Sequence, residues 1–292
     1  MIDYRLVLAC SGFLGSVVLK FLHKEKVIDA VLTDKNSTEI INFCSKNEID
    51  CFIGNARNDK CIEFVQKYKD KILFSVNYLF LFDQRIISLF KFKFNIHGSL
   101  LPKYRGRTPH VWAIINNEKK TGITIHDITL GCDAGDILFQ KEIPITYYDT
   151  GGTILQKYIN HYPKMIKQFL CLFCEQKIVY KKQDEYLKTY FGKRTPEDGK
   201  IVWDWQRERI YNWVRALAPP YPGAFCFFGE SKIVINKIKL SDFGFSCDMK
   251  NGIVCDVNTA SVIVKTPNGC VEILDYIVNE NIISFKKGDI LT

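Results

Sequence analysis

Near its start the chain contains RLVLACSGFLG (residues 5–15), which sets the class of fold. An apolar run reaching Cys10 predicts a buried strand, Gly12 and Gly15 mark a tight turn, and an apolar pattern with helical spacing follows. Strand, glycine turn and helix together open a βαβ unit. A full G-x-G-x-x-G nucleotide fingerprint is absent from the sequence here. The turn therefore favours a structural role or a substrate contact over a dinucleotide site.

The same alternation continues along the chain. Further strands are predicted at residues 27–32, 50–54, 71–76, 92–96, 121–127 and 136–143, and helices at 38–47, 59–68, 83–89, 109–116 and 150–176. This order predicts an α/β domain with a Rossmann-like, doubly wound and mostly parallel sheet over residues 1–195. A helix at 204–216 and then short β-branched runs separated by Gly, Asn and Asp predict a smaller, mainly β domain, a barrel or sandwich, over 196–292.

Composition narrows the functional classes. At 47% hydrophobic residues the 292-residue chain can bury a large core, and no apolar run reaches the roughly 18 residues of a membrane helix. Eleven scattered cysteines suit a reducing, cytoplasmic setting, where they act as small hydrophobes. The lone C-x-x-C, at residues 171–174, is interpreted as core packing, and no metal is expected.

Net charge is +8, which suits a polyanionic partner such as a nucleotide diphosphate. The lysines are spread along the chain without a block of five, so the charge alone does not favour nucleic acid over a solvated basic surface.

The segment NIHGSLLPKYRGRT (residues 95–108) carries the most chemistry. Asn95 and His97 are two residues apart at the end of a predicted strand, so their side chains share one face. Asp133 lies about thirty residues later in a glycine-flanked loop. Taken singly, His97 fits a structural histidine and Asp133 a turn residue. Together they offer an oxyanion donor, a proton acceptor and a carboxylate that tunes it, which suits acyl transfer to an amine. Ser99 lacks a G-x-S-x-G elbow and is not expected to be a nucleophile.

Two further features indicate ligand contacts. Lys103, Arg105 and Arg107 occupy alternate positions of a loop, and in an extended segment all three would point one way, as phosphate binding favours. A solvated basic loop is the alternative. Tyr221 lies between two prolines and is interpreted either as a rigid stacking surface or as a packing residue.

Three motifs carry a family resemblance: NIHGSLLPKYRG (95–106), TGITIH (121–126) and GCDAGDIL (131–138). In residue type, order and spacing they resemble the folate-dependent formyltransferases. That family includes methionyl-tRNA formyltransferase, glycinamide ribonucleotide formyltransferase and the nucleotide-sugar N-formyltransferases. The resemblance covers residues 70–195 and, more loosely, residues 1–225.

The resemblance implies a mechanism and a set of site residues. Asn95, His97 and Asp133 match the catalytic trio, with His97 as general base, Asn95 as oxyanion donor and Asp133 tuning His97. The implied co-substrate is 10-formyltetrahydrofolate, without a metal. Its implied pocket comprises Ser75, Asn77, Leu79, Phe80, Ile128, Gly131 and Cys132. The implied substrate contacts are Ser11, Phe13, Tyr78, Lys103, Arg105, Gly106, Arg107, Thr108, Arg194 and Tyr221.

Within the family, three features favour a nucleotide-linked amino-deoxy sugar as acceptor. Residues 31–48 are short and not basic, whereas the tRNA enzymes carry a basic insertion there. RTPEDG (194–199) and PYPGA (220–224) resemble segments of the sugar enzymes, the second being their base-stacking element. The preferred acceptor is dTDP-4-amino-4,6-dideoxyglucose or its 3-amino analogue, used in surface polysaccharide or O-antigen synthesis.

Two other functions are compatible with the sequence. HVW at 110–112 replaces the small or polar residues common in the tRNA enzymes, yet methionyl-tRNA formyltransferase is the alternative function. A non-catalytic folate- or nucleotide-binding module is a third. The last seventy or so residues match nothing placed with the motifs, and a homodimer formed through them is expected. Neither a membrane nor a nucleic acid is the expected partner.

Overall fold

The structure, a computed structural model, describes residues 4–278 and 283–292. The chain divides into two compact units. The first comprises Met1–Arg107, Thr121–Ile143 and Gln156–Phe191, and the second comprises Thr108–Lys120, Pro144–Leu155 and Gly192–Thr292.

Strands and helices alternate through the first half of the chain. In order they are β1 (Leu6–Cys10), α1 (Gly12–Lys24), β2 (Ile28–Thr33), α2 (Thr38–Lys46), β3 (Asp50–Ile53), α3 (Asp59–Gln66), β4 (Ile72–Val76), α4 (Gln84–Leu89), β5 (Phe92–His97), β6 (Arg105–Gly106), α5 (Pro109–Ile115), β7 (Lys120–Asp127), β8 (Ile137–Pro144) and α6 (Gly151–Cys174). The remainder comprises β9 (Tyr190–Phe191), α7 (Arg207–Leu217), β10 (Ala224–Phe228), β11 (Ser231–Ser241), β12 (Val254–Asn258), β13 (Ser261–Thr266) and β14 (Gly269–Val278).

Seven strands form the main sheet, in the order β3-β2-β1-β4-β5-β7-β8. Strands β3, β2, β1, β4 and β5 are parallel to their neighbours, and β7 pairs antiparallel with β5. The order reverses between β1 and β4, which defines the switch point of a doubly wound sheet. The predicted mostly parallel α/β sheet is therefore confirmed.

The burial of the strands matches their positions in the sheet. Every residue of β1 and of β4 is buried, as expected for central parallel strands covered on both faces by helices. Two surface helices begin at side-chain caps: Asn58 accepts from the Lys60 N–H and Asp83 from the Arg85 and Ile86 N–H groups. Because these strands are rigid and buried, the residues at their ends are held in fixed register.

The second sheet has five antiparallel strands in the order β10-β11-β14-β13-β12. All six residues of β13 are buried, so this sheet has its own core. The predicted mainly β character after residue 224 is confirmed, in the form of one antiparallel sheet among the described strands.

Within the described ranges, no helix is long and apolar enough to cross a membrane. The same ranges contain no group of three or more His, Cys, Asp or Glu side chains arranged to hold a metal ion. All eleven cysteines are free thiols, and the C-x-x-C pair lies partly buried on α6.

Candidate active site

One row of polar side chains crosses the main sheet. Ser75 on β4 is in register with Asn95 on β5, and Asn95 is in register with His126 on β7. Residues in register on adjacent strands point to the same face, so these three side chains lie side by side. His97 is two residues after Asn95 and shares that face.

A carboxylate completes this row from the loop after β7. Asp133 Oδ1 is 3.3 Å from Asn95 Nδ2, and 3.5 Å from both His97 Nδ1 and His126 Nε2. The His97 and Asp133 side chains are only 9% and 13% exposed, so their interaction is weakly screened by water. The structure thus brings Asn95, His97 and Asp133 together, along with a second histidine.

The hydrogen bonds of His97 set its orientation. Its Nε2 donates to the Tyr104 carbonyl at 2.8 Å, which places a proton on Nε2. Nδ1 is then the nitrogen that can accept a proton, and it faces the carboxylate of Asp133. A proton taken up at Nδ1 produces an imidazolium whose charge is neutralised within the site.

His126 acts on Asn95 in a complementary way. Its Nδ1 donates to the Asp127 carbonyl at 2.7 Å, so its Nε2 is an acceptor for Asn95 Nδ2 at 3.0 Å. The carboxamide is therefore fixed with its N–H groups on the side of Asp133 and the histidines. An amide held this way is preorganised to donate to a developing oxyanion.

Backbone geometry places Asp133 where its oxygens meet these groups. Its φ of 49° is left-handed, and its Oδ2 accepts from the Gly106 N–H at 2.9 Å. Burial alone would raise the pKa of Asp133, but the positive charge that the rings of His97 and His126 carry when protonated, together with the Gly106 N–H, holds this pKa well below its usual range. Asp133 is therefore ionised at all ordinary pH values.

Two glycines permit this close approach. A Cβ on Gly135 would lie 2.0 Å from the Asp127 carbonyl oxygen, and one on Gly106, whose φ is +99°, would lie 2.3 Å from the Phe191 oxygen. Any side chain at either position would displace a loop that carries part of the site.

Comparison with known proteins identifies this arrangement. The formyl transferase family model matches residues 10–170, more than half of the chain and all of the row described above, and the model of the formyl transferase C-terminal domain matches residues 193–284. The chain belongs to the formyl transferase family. The family predicted from the three motifs is thereby confirmed.

One curated relative matches most of the chain. The chain is 38% identical over 241 residues to the bifunctional polymyxin resistance protein ArnA of Wigglesworthia glossinidia brevipalpis, covering 79% of this chain and 36% of the relative. It thus spans about a third of the length of that curated relative.

Solved structures share the fold. An N-formyltransferase from Helicobacter canadensis, in complex with folinic acid and dTDP-3-aminofucose, matches with a TM-score of 0.74 at 21% identity, covering 94% of this chain and 100% of the other. The sugar 3N-formyl transferase WlaRD, with dTDP and 5-N-formyl-THF, matches with a TM-score of 0.70 at 23% identity, covering 94% and 98%.

In this formyl transferase the basic loop differs from its prediction. Lys103 and Arg107 are exposed, but Arg105 is fully buried, where it forms an ion pair with Glu185 at 2.6 Å. The interpretation that all three cations point one way is wrong, because Tyr104 and Gly106 have φ values of 61° and 99° and the loop is not extended. Arg105 supports the protein interior and does not present its charge to a phosphate.

The residues implied for the folate lie on β4 and on the loops that follow β4 and β7, all in the first unit. Ser75 is 5% exposed and in register with Asn95, and Ile128 is 6% exposed and bound through its N–H to the Lys93 carbonyl. Phe80 is half-buried and packs edge-on against Tyr78. Asn77, Leu79 and Gly131 are exposed, and Cys132 is half-buried with its thiol donating to Asp133.

Apolar surface and polar groups both occur in and around this set. Leu79 and Leu130, on the loops after β4 and β7, are 40% and 63% exposed and offer apolar surface to a flat ring. Ser75 and Asn95 add polar groups beside that surface. The residues present therefore fit a reduced folate.

The implied substrate residues of the first unit fall into two groups. Ser11 is buried beneath Asn77, whose Nδ2 donates to its carbonyl at 3.1 Å, and Phe13 is 63% exposed. Tyr78, by contrast, is 8% exposed and directs its hydroxyl to the Gly54 carbonyl. Tyr78 therefore packs in the core of the first unit, and its role as a substrate contact stays a prediction.

In the second unit, Arg194 and Tyr221 each lie in an aromatic setting. The Arg194 guanidinium lies 5.2 Å from the Trp112 ring centroid and 5.9 Å from that of Trp213, and burial lowers its pKa. The Tyr221 hydroxyl is hydrogen-bonded to His110 Nε2, and burial raises its pKa. Thr108 is exposed and precedes α5 with a φ of 46°.

Three groups that hold the candidate site in place were not predicted from the sequence. His126 ends the TGITIH motif and received no role, although its period-two spacing along β7 signalled an inward side chain. The Tyr104 carbonyl carries no sequence signal, because any residue supplies one. Gln183 is also part of the arrangement, since it donates to the Asp133 and Gly135 carbonyls, and it lies fifty residues from Asp133.

Proposed function

We propose that this protein transfers the formyl group of 10-formyltetrahydrofolate to the amino group of a nucleotide-linked amino-deoxy sugar. The observation that carries the proposal is the position of Asp133 Oδ1, which lies 3.3 Å from Asn95 Nδ2 and 3.5 Å from His97 Nδ1, two side chains on one face of β5. Membership of the formyl transferase family supports the chemistry, and the fold shared with sugar N-formyltransferases supports the class of acceptor.

The co-substrate would supply the formyl carbon as an electrophile, held by Ser75, Asn77, Leu79, Phe80, Ile128, Gly131 and Cys132. His97 accepts at Nδ1 the proton that the attacking amine loses, since Nε2 is committed to the Tyr104 carbonyl. Asp133 stabilises the resulting imidazolium.

Asn95 stabilises the oxyanion of the tetrahedral intermediate. Of its two amide contacts, the one to Asp133 is the longer, at 3.3 Å against 3.0 Å to His126. An oxyanion can therefore replace it while the His126 bond keeps the amide in place. Such a donor typically lowers the barrier by about 3 kcal/mol.

On the acceptor side, the proposal is dTDP-4-amino-4,6-dideoxyglucose or its 3-amino analogue, destined for surface polysaccharide or O-antigen. In the first unit the proposed contacts are Ser11, Phe13, Tyr78, Gly106 and the exposed cations Lys103 and Arg107. In the second unit they are Thr108, Arg194 and Tyr221. A cytoplasmic homodimer is part of the same proposal.

The test is direct. Purified protein is incubated with 10-formyltetrahydrofolate and a panel of dTDP- and UDP-linked amino sugars, and each sugar is examined by mass spectrometry for one added formyl group. Charged initiator tRNA is included, because its formylation would support the alternative, a methionyl-tRNA formyltransferase. Formylation of no sugar would overturn the proposal.

His97→Asn separates catalysis from simple binding. A catalyst loses most of its turnover in this variant while a thermal shift by folate and dTDP persists. His23→Asn, on α1, is the matched control and should leave turnover unchanged. Equal turnover of His97→Asn and wild type would indicate a binding module.

A further inference from the structure

The segment between the two family matches supports the catalytic loops. Residues 181–191, here called the strap, lie beyond the match at 10–170 and before that at 193–284. At one end the Lys181 N–H and carbonyl bond to Ile137 at 2.9 and 2.8 Å. At the other, β9 pairs in parallel with β6. The strap is thereby fastened at both ends, to the start of β8 and to β6.

Gln183 connects the strap to the backbone of the loop that carries Asp133. Its Nε2 donates to the Asp133 carbonyl at 2.8 Å and to the Gly135 carbonyl at 2.7 Å. Its Oε1 accepts from Arg105 Nε at 3.1 Å and Nη2 at 2.7 Å. Both amide hydrogens and the oxygen are therefore used, which leaves the side chain a single orientation.

Arg105 holds the side-chain oxygen of Gln183 in place. It is fully buried, and its guanidinium also bonds to Glu185 Oε1 at 2.6 Å and to the Tyr190 hydroxyl at 2.7 Å. Hydrogen bonds from Arg105, and then from Lys188, lower the pKa of Glu185 to about 2. The buried cation is thus compensated by groups of the strap itself.

The strap also reaches the histidine side of the site. Thr189 Oγ1 accepts from the Tyr104 N–H at 2.8 Å, and the Tyr104 carbonyl accepts from His97 Nε2. The Tyr104 ring stacks on Phe191 with centroids 4.9 Å apart. One segment therefore constrains the backbone that orients His97 as well as the backbone that carries Asp133.

We propose that Gln183 is a positioning residue that acts through Asp133, and that the strap, with Arg105 as its buried anchor, sets the distance between Asp133 and His97. The expected effect on kcat rests on the proposed function, but the expected effect on the position of Asp133 does not. Without the two bonds from Gln183, the left-handed turn at Asp133 loses the contacts that hold its carbonyls.

Two variants test this. Gln183→Leu removes all four bonds, whereas Gln183→Glu keeps an acceptor for Arg105 but loses both donors to the Asp133 and Gly135 carbonyls. Lys182→Gln, at the neighbouring exposed position, is the control. We expect kcat to fall roughly 10- to 100-fold in both variants with the KM for the folate changed less, because a misplaced group affects the reaction more than binding.

A second readout needs no acceptor. The Asp133 carboxyl is followed by carbon-13 NMR, with Asp133→Asn assigning its signal. In wild type the signal should stay flat through the ordinary aspartate range near pH 4. In both Gln183 variants a titration step should enter that range, because the histidines and the Gly106 N–H no longer lie at their present distances.

Folded variants with an unchanged Asp133 titration and wild-type kcat would overturn the inference. The effect on kcat should also vanish when Gln183→Glu is combined with Asp133→Asn, and additive losses would count against it. If wild type formylated no acceptor, the proposed function would fail, whereas the titration would still decide whether the strap positions Asp133.

Discussion

Replacing Asp133 by Asn measures what the carboxylate contributes to proton transfer. The substitution preserves the shape of the side chain. Its amide oxygen can still accept from the Gly106 N–H, which bonds to Oδ2 of Asp133 in the wild type. It removes the negative charge that faces His97 Nδ1. Since the proposed mechanism creates an imidazolium at that position, the loss should appear in the chemical step.

The size of the effect follows from the geometry. At the 3.5 Å between Asp133 Oδ1 and His97 Nδ1, two unit charges interact by about 5 kcal/mol at an effective dielectric constant of about 20. With the proton about half transferred in the transition state, about half of this energy is lost, which corresponds to a roughly 50-fold lower kcat.

The assay is steady-state formyl transfer to the accepted amino sugar, with kcat and both KM values measured for wild type and Asp133→Asn. Asp136→Asn, three residues along the same segment, makes the same charge change as a control. A kcat within threefold of wild type in Asp133→Asn, or an equal loss in Asp136→Asn, would refute the electrostatic reasoning.

Three other outcomes are expected. Asn95→Ala should lower kcat by roughly 100- to 1,000-fold, about 3 to 4 kcal/mol, with folate binding by titration calorimetry retained; a minor loss would exclude it as oxyanion donor. Gly135→Ala should lower the melting temperature by an amount equivalent to about 1–3 kcal/mol, because its Cβ would meet the Asp127 carbonyl, whereas Gly244→Ala, with open space around it, should not; equal melting temperatures would contradict this. Since the pKa of Asp133 is lowered on folding, the unfolded state binds its proton first, so the stabilisation is complete above about pH 5 and is lost as pH falls below about 4. In urea titrations the wild type should therefore lose stability more steeply than Asp133→Asn below pH 4, and parallel profiles would contradict the shift.

Local patterns were sufficient to predict most of the fold. Apolar runs, alternation and turn residues identified the seven strands of the main sheet, whereas the short strand β6 was not predicted. The period of two along a strand placed Asn95 and His97 on one face. These inferences succeed because a buried strand admits few alternatives to its side-chain pattern. Helix limits were less well predicted: α7 begins at Arg207, whereas the pattern predicted residue 204.

The basic loop shows where local reasoning stops. The burial of Arg105 depends on Glu185 and Gln183, about eighty residues away, and on left-handed residues that no simple spacing rule reveals. Tyr78 resembled a loop residue but packs against Phe82 in the core. In both cases tertiary contacts determined the direction of a side chain that sequence spacing left free.

The span between Arg105 and Glu185 also bears on the order of folding. Their ion pair closes a loop of 80 residues. Closing such a loop costs conformational entropy, and this cost precedes the stabilisation that the ion pair provides. Strands β1 to β5 join through much shorter connections. We therefore expect the parallel sheet to assemble before Arg105 meets its acidic partner, and the loops that carry Tyr104 and Asp133 to become ordered when the chain around residue 185 docks.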